Sequence, residues 1–254
     1  MEEMIYQPHI QCRKQDAAPY AILPGDPARV DRVIPYLTEV RTIAFNREYK
    51  SIVGKYQGIM VMVVSTGIGG ASMGIAVEEL SRIGVHTMIR IGSCGALDEK
   101  IALGDLILVN GAVRDEGTSK AYIDGIYPAI PDTHLLMKLI QEAKVKGYPY
   151  HVGKARSHDS FYTDEEEQID SFWAAKGILG SDMETAALFV IGGLRGVHTA
   201  SILNTVVTSN GRLEEGINEY VSGESKTSQG EKNEILLALE ALVKWDEELS
   251  KGRD

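Results

Sequence analysis

An arginine, Arg90, stands among apolar residues in the stretch MIRIGSCGAL, Met88 to Leu97. Burying a guanidinium is expensive unless it meets an anion. Two more arginines fall beside turn-like motifs: Arg29 after PGDP, and Arg47 before Glu48 and Tyr49. Guanidinium groups grip phosphate bidentately and stay charged when buried. Together the three make a candidate anion clamp, to which Ser93 could add a hydroxyl donor. The alternative is three unrelated surface arginines, a reading that suits Arg29 better than Arg90. Gly67, Gly69 and Gly70, in STGIGGAS, would let backbone N–H groups approach an oxyanion, or would simply make a tight turn from strand to helix. In SDMETA, Glu184 beside Met183 could accept both hydroxyls of a vicinal diol. The same acids could instead cap a helix. Phe161 and Tyr162 could stack on a flat ring or belong to the core.

Other chemistries find no support. The glycine run fits GxGxxG poorly, because Ser72 stands where the last glycine belongs. A P-loop, a GxSxG elbow and HExxH are absent. Cys12 and Cys94 have neither CxxC nor metal-ligand spacing and read as reduced thiols. The formal charge of −10 argues against nucleic acid or an anionic membrane as partner. No apolar run approaches the ~18 residues of a membrane span, and the polar start does not resemble a signal peptide. The expectation is a soluble cytoplasmic protein.

The elements that must position these residues alternate. YAILPGD reads as a strand entering a turn, and PARVDRVIPYL as a helix opened by proline. Further strands are IMVMVV, HTMIRIGSCGA, DLILVNGAVR, HVGKARSHDSF, GILGSD and TASILNTVVTS. Between them lie helices at SMGIAVEELSRIG, ending at Gly84, at DTHLLMKLIQEAKVKG, capped by Asp132, and at METAALFVIGGLRG. EKNEILLALEALVKWDEELS closes the chain. Such alternation predicts a mainly parallel sheet covered on both faces, with ligands at the strand C-terminal ends. Those ends carry PGDPAR, STGIGGAS, RIGSCGA, SDMETA and VVTSNGR. The polar stretch Glu214 to Gln229 is expected to be a mobile loop. A length of 254 residues suits one large α/β domain.

Taken in order, LPGDPAR, NREY, STGIGGAS, RIGSCGA, EGTSKAY, SFY and DMETAALF resemble the nucleoside phosphorylase superfamily, which includes uridine phosphorylases and hexameric purine nucleoside phosphorylases. The resemblance spans nearly the whole chain. It implies an α/β fold, a single three-layer domain over residues 1–254 with a mixed, barrel-like central sheet flanked by helices. It implies phosphorolysis of a nucleoside to a free base and pentose 1-phosphate, with phosphate as co-substrate and no cofactor. Gly25, Arg29, Arg90 and Ser93 would bind phosphate, and Arg47 would reach the same site from a neighbouring subunit. Met183 and Glu184 would hold the ribose, His9 from the neighbour its 5′-hydroxyl, and Phe161 the base. A homohexamer built from dimers that share active sites would follow. The uridine-type motifs also keep Glu48, Ile68 and Ser72, positions that in that branch bind a monovalent cation, K+, at the dimer interface.

At the base the chain departs from both branches. Uridine phosphorylases carry a glutamine and an arginine after FY; here TDEEEQ offers Gln168 and no arginine. Many hexameric purine enzymes place an aspartate after VS as general acid; here VVTSNGR puts Asn210 there, with Arg212 as its possible assistant. An amide can donate to N7 or O6 of a 6-oxopurine, or to O4 of uracil, but cannot serve as a general acid. The balance falls on a 6-oxopurine nucleoside, with uridine the alternative. A nucleosidase using water, and a non-catalytic nucleoside-binding protein, are the competing functions.

Overall fold

The computed structural model of the chain describes residues 6–211 and 225–251. β1 (Tyr20–Pro24) is buried along its whole length and runs into Gly25 and Asp26. Asp26 caps α1 (Pro27–Val33) by accepting from the Ala28 N–H at 2.9 Å, and Pro27 opens the helix where a missing donor costs nothing. β2 (Thr38–Asn46) and β3 (Tyr49–Tyr56) form a hairpin whose turn is Arg47-Glu48. Gln57 and Gly58, both at positive φ, turn β3 into β4 (Ile59–Val64). α2 (Gly70–Ile83) stops where Gly84 takes φ +106°. The remaining elements are β5 (Thr87–Ala96), β6 (Leu106–Asp115), α3 (Thr118–Tyr122), α4 (Thr133–Lys146), β7 (Tyr150–His158), α5 (Glu166–Ala174), β8 (Ile178–Asp182), α6 (Thr185–Leu194), β9 (His198–Val207) and α7 (Ser225–Lys251). Asp132 caps α4 through the Leu135 N–H at 2.9 Å, as the sequence suggests.

The strands form one sheet in the order β2-β3-β4-β1-β5-β8-β7-β6-β9, and β9 pairs back onto β5. That return closes β5, β8, β7, β6 and β9 into a barrel, with β1, β4, β3 and β2 as a wing. The sheet is mixed, as the family resemblance implies. The mainly parallel sheet inferred from alternation alone is corrected by antiparallel pairs at β2/β3, β3/β4, β5/β8 and β6/β9. Neither strand of the β2/β3 hairpin is evident in the sequence pattern. β2 is mostly exposed, so its sequence lacks the apolar alternation that marks a half-buried strand.

Helices cover both faces. α2 and α6 pack on one side through Met73, Leu80, Leu188 and Val190, and α1, α4 and α7 on the other through Val30, Leu135, Leu139 and Leu239. Burying each such side chain contributes about 1.5–3 kcal/mol. β5 is apolar toward both layers: Met88 faces the α2/α6 side, and Ile89 and Ile91 the other. Arg90 alternates with Ile89 and Ile91, so the pleat turns it toward the α2/α6 side. Of the expected mobile loop, 214–224 lie outside the described residues. The rest is corrected, because α7 already begins at Ser225.

Candidate active site

The C-terminal ends of β1, β4, β5, β8 and β9 meet around a cavity of about 950 Å³. The turns after β1 and β4 interlock: Thr66 N donates to Pro24 O at 2.9 Å and Gly67 N to Gly25 O at 3.0 Å. Gly67 has φ +68°, and a Cβ there would come within 2.7 Å of Glu48 Cγ. Only glycine fits both the backbone and the space.

Arg90 is 3% exposed and projects into this cavity. Its Nε donates to Asp182 Oδ2 at 3.0 Å, and its Nη2 lies 2.6 Å from Glu184 Oε2. Nη1 is buried without a hydrogen-bond partner among the described residues. Two internal carboxylates thus hold the cation, and one N–H edge is left over. Burial works against the charge, but Glu184 and Asp182 outweigh it and raise the Arg90 pKa. Gly92, on the same face two residues on, makes the pose possible, since a Cβ there would sit 2.5 Å from Arg90 Nη2. The sequence reading missed Gly92; its position i+2 from a strand arginine was the available signal.

Asp182 fits the capping reading of SDMETA. Asp182 Oδ2 accepts from the Thr185 N–H at 3.0 Å, serving the start of α6, and Oδ1 accepts from Ser157 Oγ at 2.5 Å. Glu184 does not cap its own helix. Its Oε1 accepts from Gly69 N at 2.6 Å and its Oε2 from Met183 N at 3.2 Å. The Gly69 contact ties the glycine turn to the carboxylate.

Arg29 enters from α1. Nη1 donates to Ile91 O at 3.1 Å, and Nε to Glu231 Oε2 at 3.0 Å. Glu234 Oε1 lies 3.4 Å from Nη1. Neither glutamate of α7 stands out in a helix rich in acids. Glu234 is fully buried, and burial pushes its carboxyl up to about 8.

Gly25, Ser93, Phe161 and Met183 line the same cavity, as do Tyr162, His158 and Asp170. Gln168, Asn210, Arg47, His9 and Ser72 stand apart from that lining, whereas Glu48 and Ile68 belong to it. Gln168 is exposed on α5, and Asn210 is exposed between Ser209 and Gly211, which do line the cavity. Arg212 lies outside the described residues. Arg47 is exposed in the β2–β3 turn. His9 Nδ1 lies 2.6 Å from Glu79 Oε1. Glu48 accepts from Ser72 Oγ, a bond that lowers its pKa, while Ile68 is 80% exposed. Cys94 lines the cavity, but burial pushes its thiol up to about 12, so it is not a nucleophile at neutral pH. No helix among the described residues is long and apolar enough to cross a membrane.

The sequence model described as "Phosphorylase superfamily" matches residues 19–239. The chain belongs to the phosphorylase superfamily. Within it, a uridine phosphorylase of Thermococcus kodakarensis is 40% identical, the match covering 97% of this chain and 90% of that protein. A guanosine phosphorylase of Halorubrum lacusprofundi is 37% identical over 93% of this chain and 96% of that one. Among solved structures, uridine phosphorylase from Vibrio fischeri superposes with a TM-score of 0.89 at 46% identity, covering 96% of this chain and all 100% of that one. A purine nucleoside phosphorylase from Toxoplasma gondii, solved with immucillin-H, gives a TM-score of 0.85 at 30% identity over 95% and 96% of the two chains. The superfamily match thus embraces relatives named for both pyrimidine and purine nucleosides.

Proposed function

We propose that this member of the superfamily is a pentosyltransferase that cleaves the N-glycosidic bond of a (deoxy)ribonucleoside with inorganic phosphate, reversibly, to free base and (deoxy)ribose 1-phosphate. The observation that carries the reading is the buried, unpaired Nη1 of Arg90 in a cavity that Arg29 also lines. An orphaned guanidinium N–H is costly when dry and cheap once an oxyanion accepts from it. Water as nucleophile would not need this cationic end, which disfavours a nucleosidase.

In this reading Gly25, Arg29, Arg90 and Ser93 hold phosphate. Met183 and Glu184 hold the sugar, and Phe161 lies against the base. As the base leaves, C1′ becomes oxocarbenium-like; the adjacent phosphate stabilises that charge and then captures the carbon. Positioning and fixed electrostatics supply most of the rate. Glu184 suits its role because Arg90 and the Gly69 N–H fix it before substrate arrives. Arg47 and His9, away from this chain's own cavity, would act across a dimer interface, and hexamers would assemble from such dimers. Glu48 and Ser72 would take part, with Ile68, in a K+ site there. Asn210, assisted by Arg212, would donate to the base, with Gln168 a more distant candidate. A 6-oxopurine is the favoured base, uridine the second reading, and the cytoplasm the place of action.

The test is base release from inosine, guanosine, adenosine, uridine and thymidine, with and without phosphate. Release that requires phosphate is expected. Turnover unchanged by removing phosphate would make the protein a hydrolase, and binding without turnover would make it a nucleoside-binding protein.

A further inference from the structure

At the end of the cavity away from the arginines, α5 turns one carboxylate inward. Asp170 is half-buried and lines the cavity with His158, Phe161 and Tyr162. Among the described residues no hydrogen bond or ion pair engages it. Arg156, the nearby cation, is already committed, its Nε and Nη2 each 2.8 Å from Asp115 Oδ2. His158 Nδ1 lies 2.8 Å from Ser160 O, a carbonyl that can only accept, so in neutral His158 Nε2 is left as an acceptor. Glu166, one turn earlier on α5, adds negative potential toward Asp170. Burial raises the Asp170 pKa, as for an acceptor still without its donor. Among the described residues the lining holds no asparagine or glutamine, and its arginines are Arg29 and Arg90.

Resting on the phosphorolysis reading, we infer that Asp170 is the specificity residue for the base and selects a donor-bearing edge, that of guanine. Guanine presents N1–H and the 2-amino group side by side, a pair that one carboxylate can accept together. Hypoxanthine offers only N1–H. Uracil offers one N–H flanked by two carbonyl oxygens, which a carboxylate repels. Adenine has no N1–H at all. A site built to accept hydrogen bonds discriminates strongly against analogues that lack the donors, because its polar group is then left unpaired. Asp170 therefore sharpens the 6-oxopurine preference to guanosine over inosine, with uridine and adenosine poorer still.

The experiment measures kcat/KM for guanosine, inosine, adenosine and uridine at saturating phosphate, for wild type and Asp170→Asn. Wild type is also assayed on 1-methylguanosine, which has lost the N1–H. Expected are guanosine as best substrate, a guanosine-to-inosine ratio that falls about tenfold or more in Asp170→Asn, and a loss of similar size on 1-methylguanosine. The wild-type arm decides the matter even if the variant folds poorly. A ratio unmoved by Asp170→Asn, or uridine as the best wild-type substrate, would overturn the inference while leaving phosphorolysis standing. Absence of phosphate-dependent release from every nucleoside would overturn the reading beneath it.

Discussion

The two ends of the cavity are built to different standards. At the arginine end each charged group is buried and pre-set by partners from other elements: Arg90 by Asp182 and Glu184, Arg29 by Glu231 and the carbonyl of Ile91. At the base end Tyr162 is 70% exposed, Phe161 meets it edge-on at 4.9 Å, and Asp170 has no described partner. The first end is pre-set by its own ion pairs, and the second is more open. A scaffold of this kind can keep one reaction while its base changes. Relatives named for uridine and for guanosine, at 40% and 37% identity to one chain, fit that division.

The comparison is broken most severely at Arg90. Arg90→Ala would strand Asp182 and Glu184 as buried carboxylates without their cation, and removing one partner of a buried pair costs about 3–5 kcal/mol. A fall in Tm together with a loss of kcat/KM of about 10³-fold or more is expected. Arg90→Lys retains charge but not the planar fork, and should recover the Tm better than the rate. Equal, small effects of both variants would mean that the arginine end is not the reacting end.

Gly92→Ala is the next probe. Its Cβ would fall 2.5 Å from Arg90 Nη2 and 2.6 Å from its Cζ, so the guanidinium must shift. Misplacement by about 1 Å can cost on the order of 10²-fold in rate. The expected signature is a lower kcat and a weaker response to phosphate for every nucleoside alike. Base-dependent losses would contradict the separation of the two ends. Gly92→Ala and Asp170→Asn thus make a matched pair, one blind to the base and one governed by it.

The same contrast explains what could be read from the chain. Arg90 was legible because an apolar strand with one guanidinium is a contradiction that needs an anion. The glycines of STGIGGAS were legible as a tight turn from strand to helix, which Gly67 and Gly69 make at positive φ. Asp182 and Glu184 were legible in kind but not in division of labour, since a carboxylate before a helix can cap or bind, and only the fold gives capping to the first and Gly69 to the second. At the base end the sequence pointed to the amide of Gln168. Residues two apart on a helix point about 200° from each other, so α5 turns Gln168 out and Asp170 in. Within the run DEEEQID no single acid stands out until helix phase is known. Glu231 and Glu234 were hidden for the same reason, because a long helix rich in glutamates reads as solvated.

Glu234 gives the smallest and most selective test of how firmly the arginine end is preset. It lies between Arg29 of α1, which it meets at 3.4 Å, Arg90 of β5, and Glu231 of its own helix. Burial comes first among the causes that raise its carboxyl to about 8, from about 4.5, against the pull of Arg29. The native state therefore holds this proton where the unfolded chain has released it. Stability from that proton is complete below about pH 4.5 and is lost as pH rises through about 8. Glu234→Gln removes this titration, so its Tm relative to wild type should climb between pH 5 and pH 9. The charge argument runs the same way for phosphate. Above about pH 8, ionised Glu234 sets a second carboxylate against Arg29 beside Glu231, and the wild-type KM for phosphate should rise a few-fold more than that of Glu234→Gln. Guanosine-to-inosine ratios should stay level across the same range in both proteins, since Glu234 belongs to the other end. Parallel phosphate profiles in the two proteins would show that Glu231 and the Ile91 carbonyl alone set the Arg29 cation, with Glu234 a spectator at every pH.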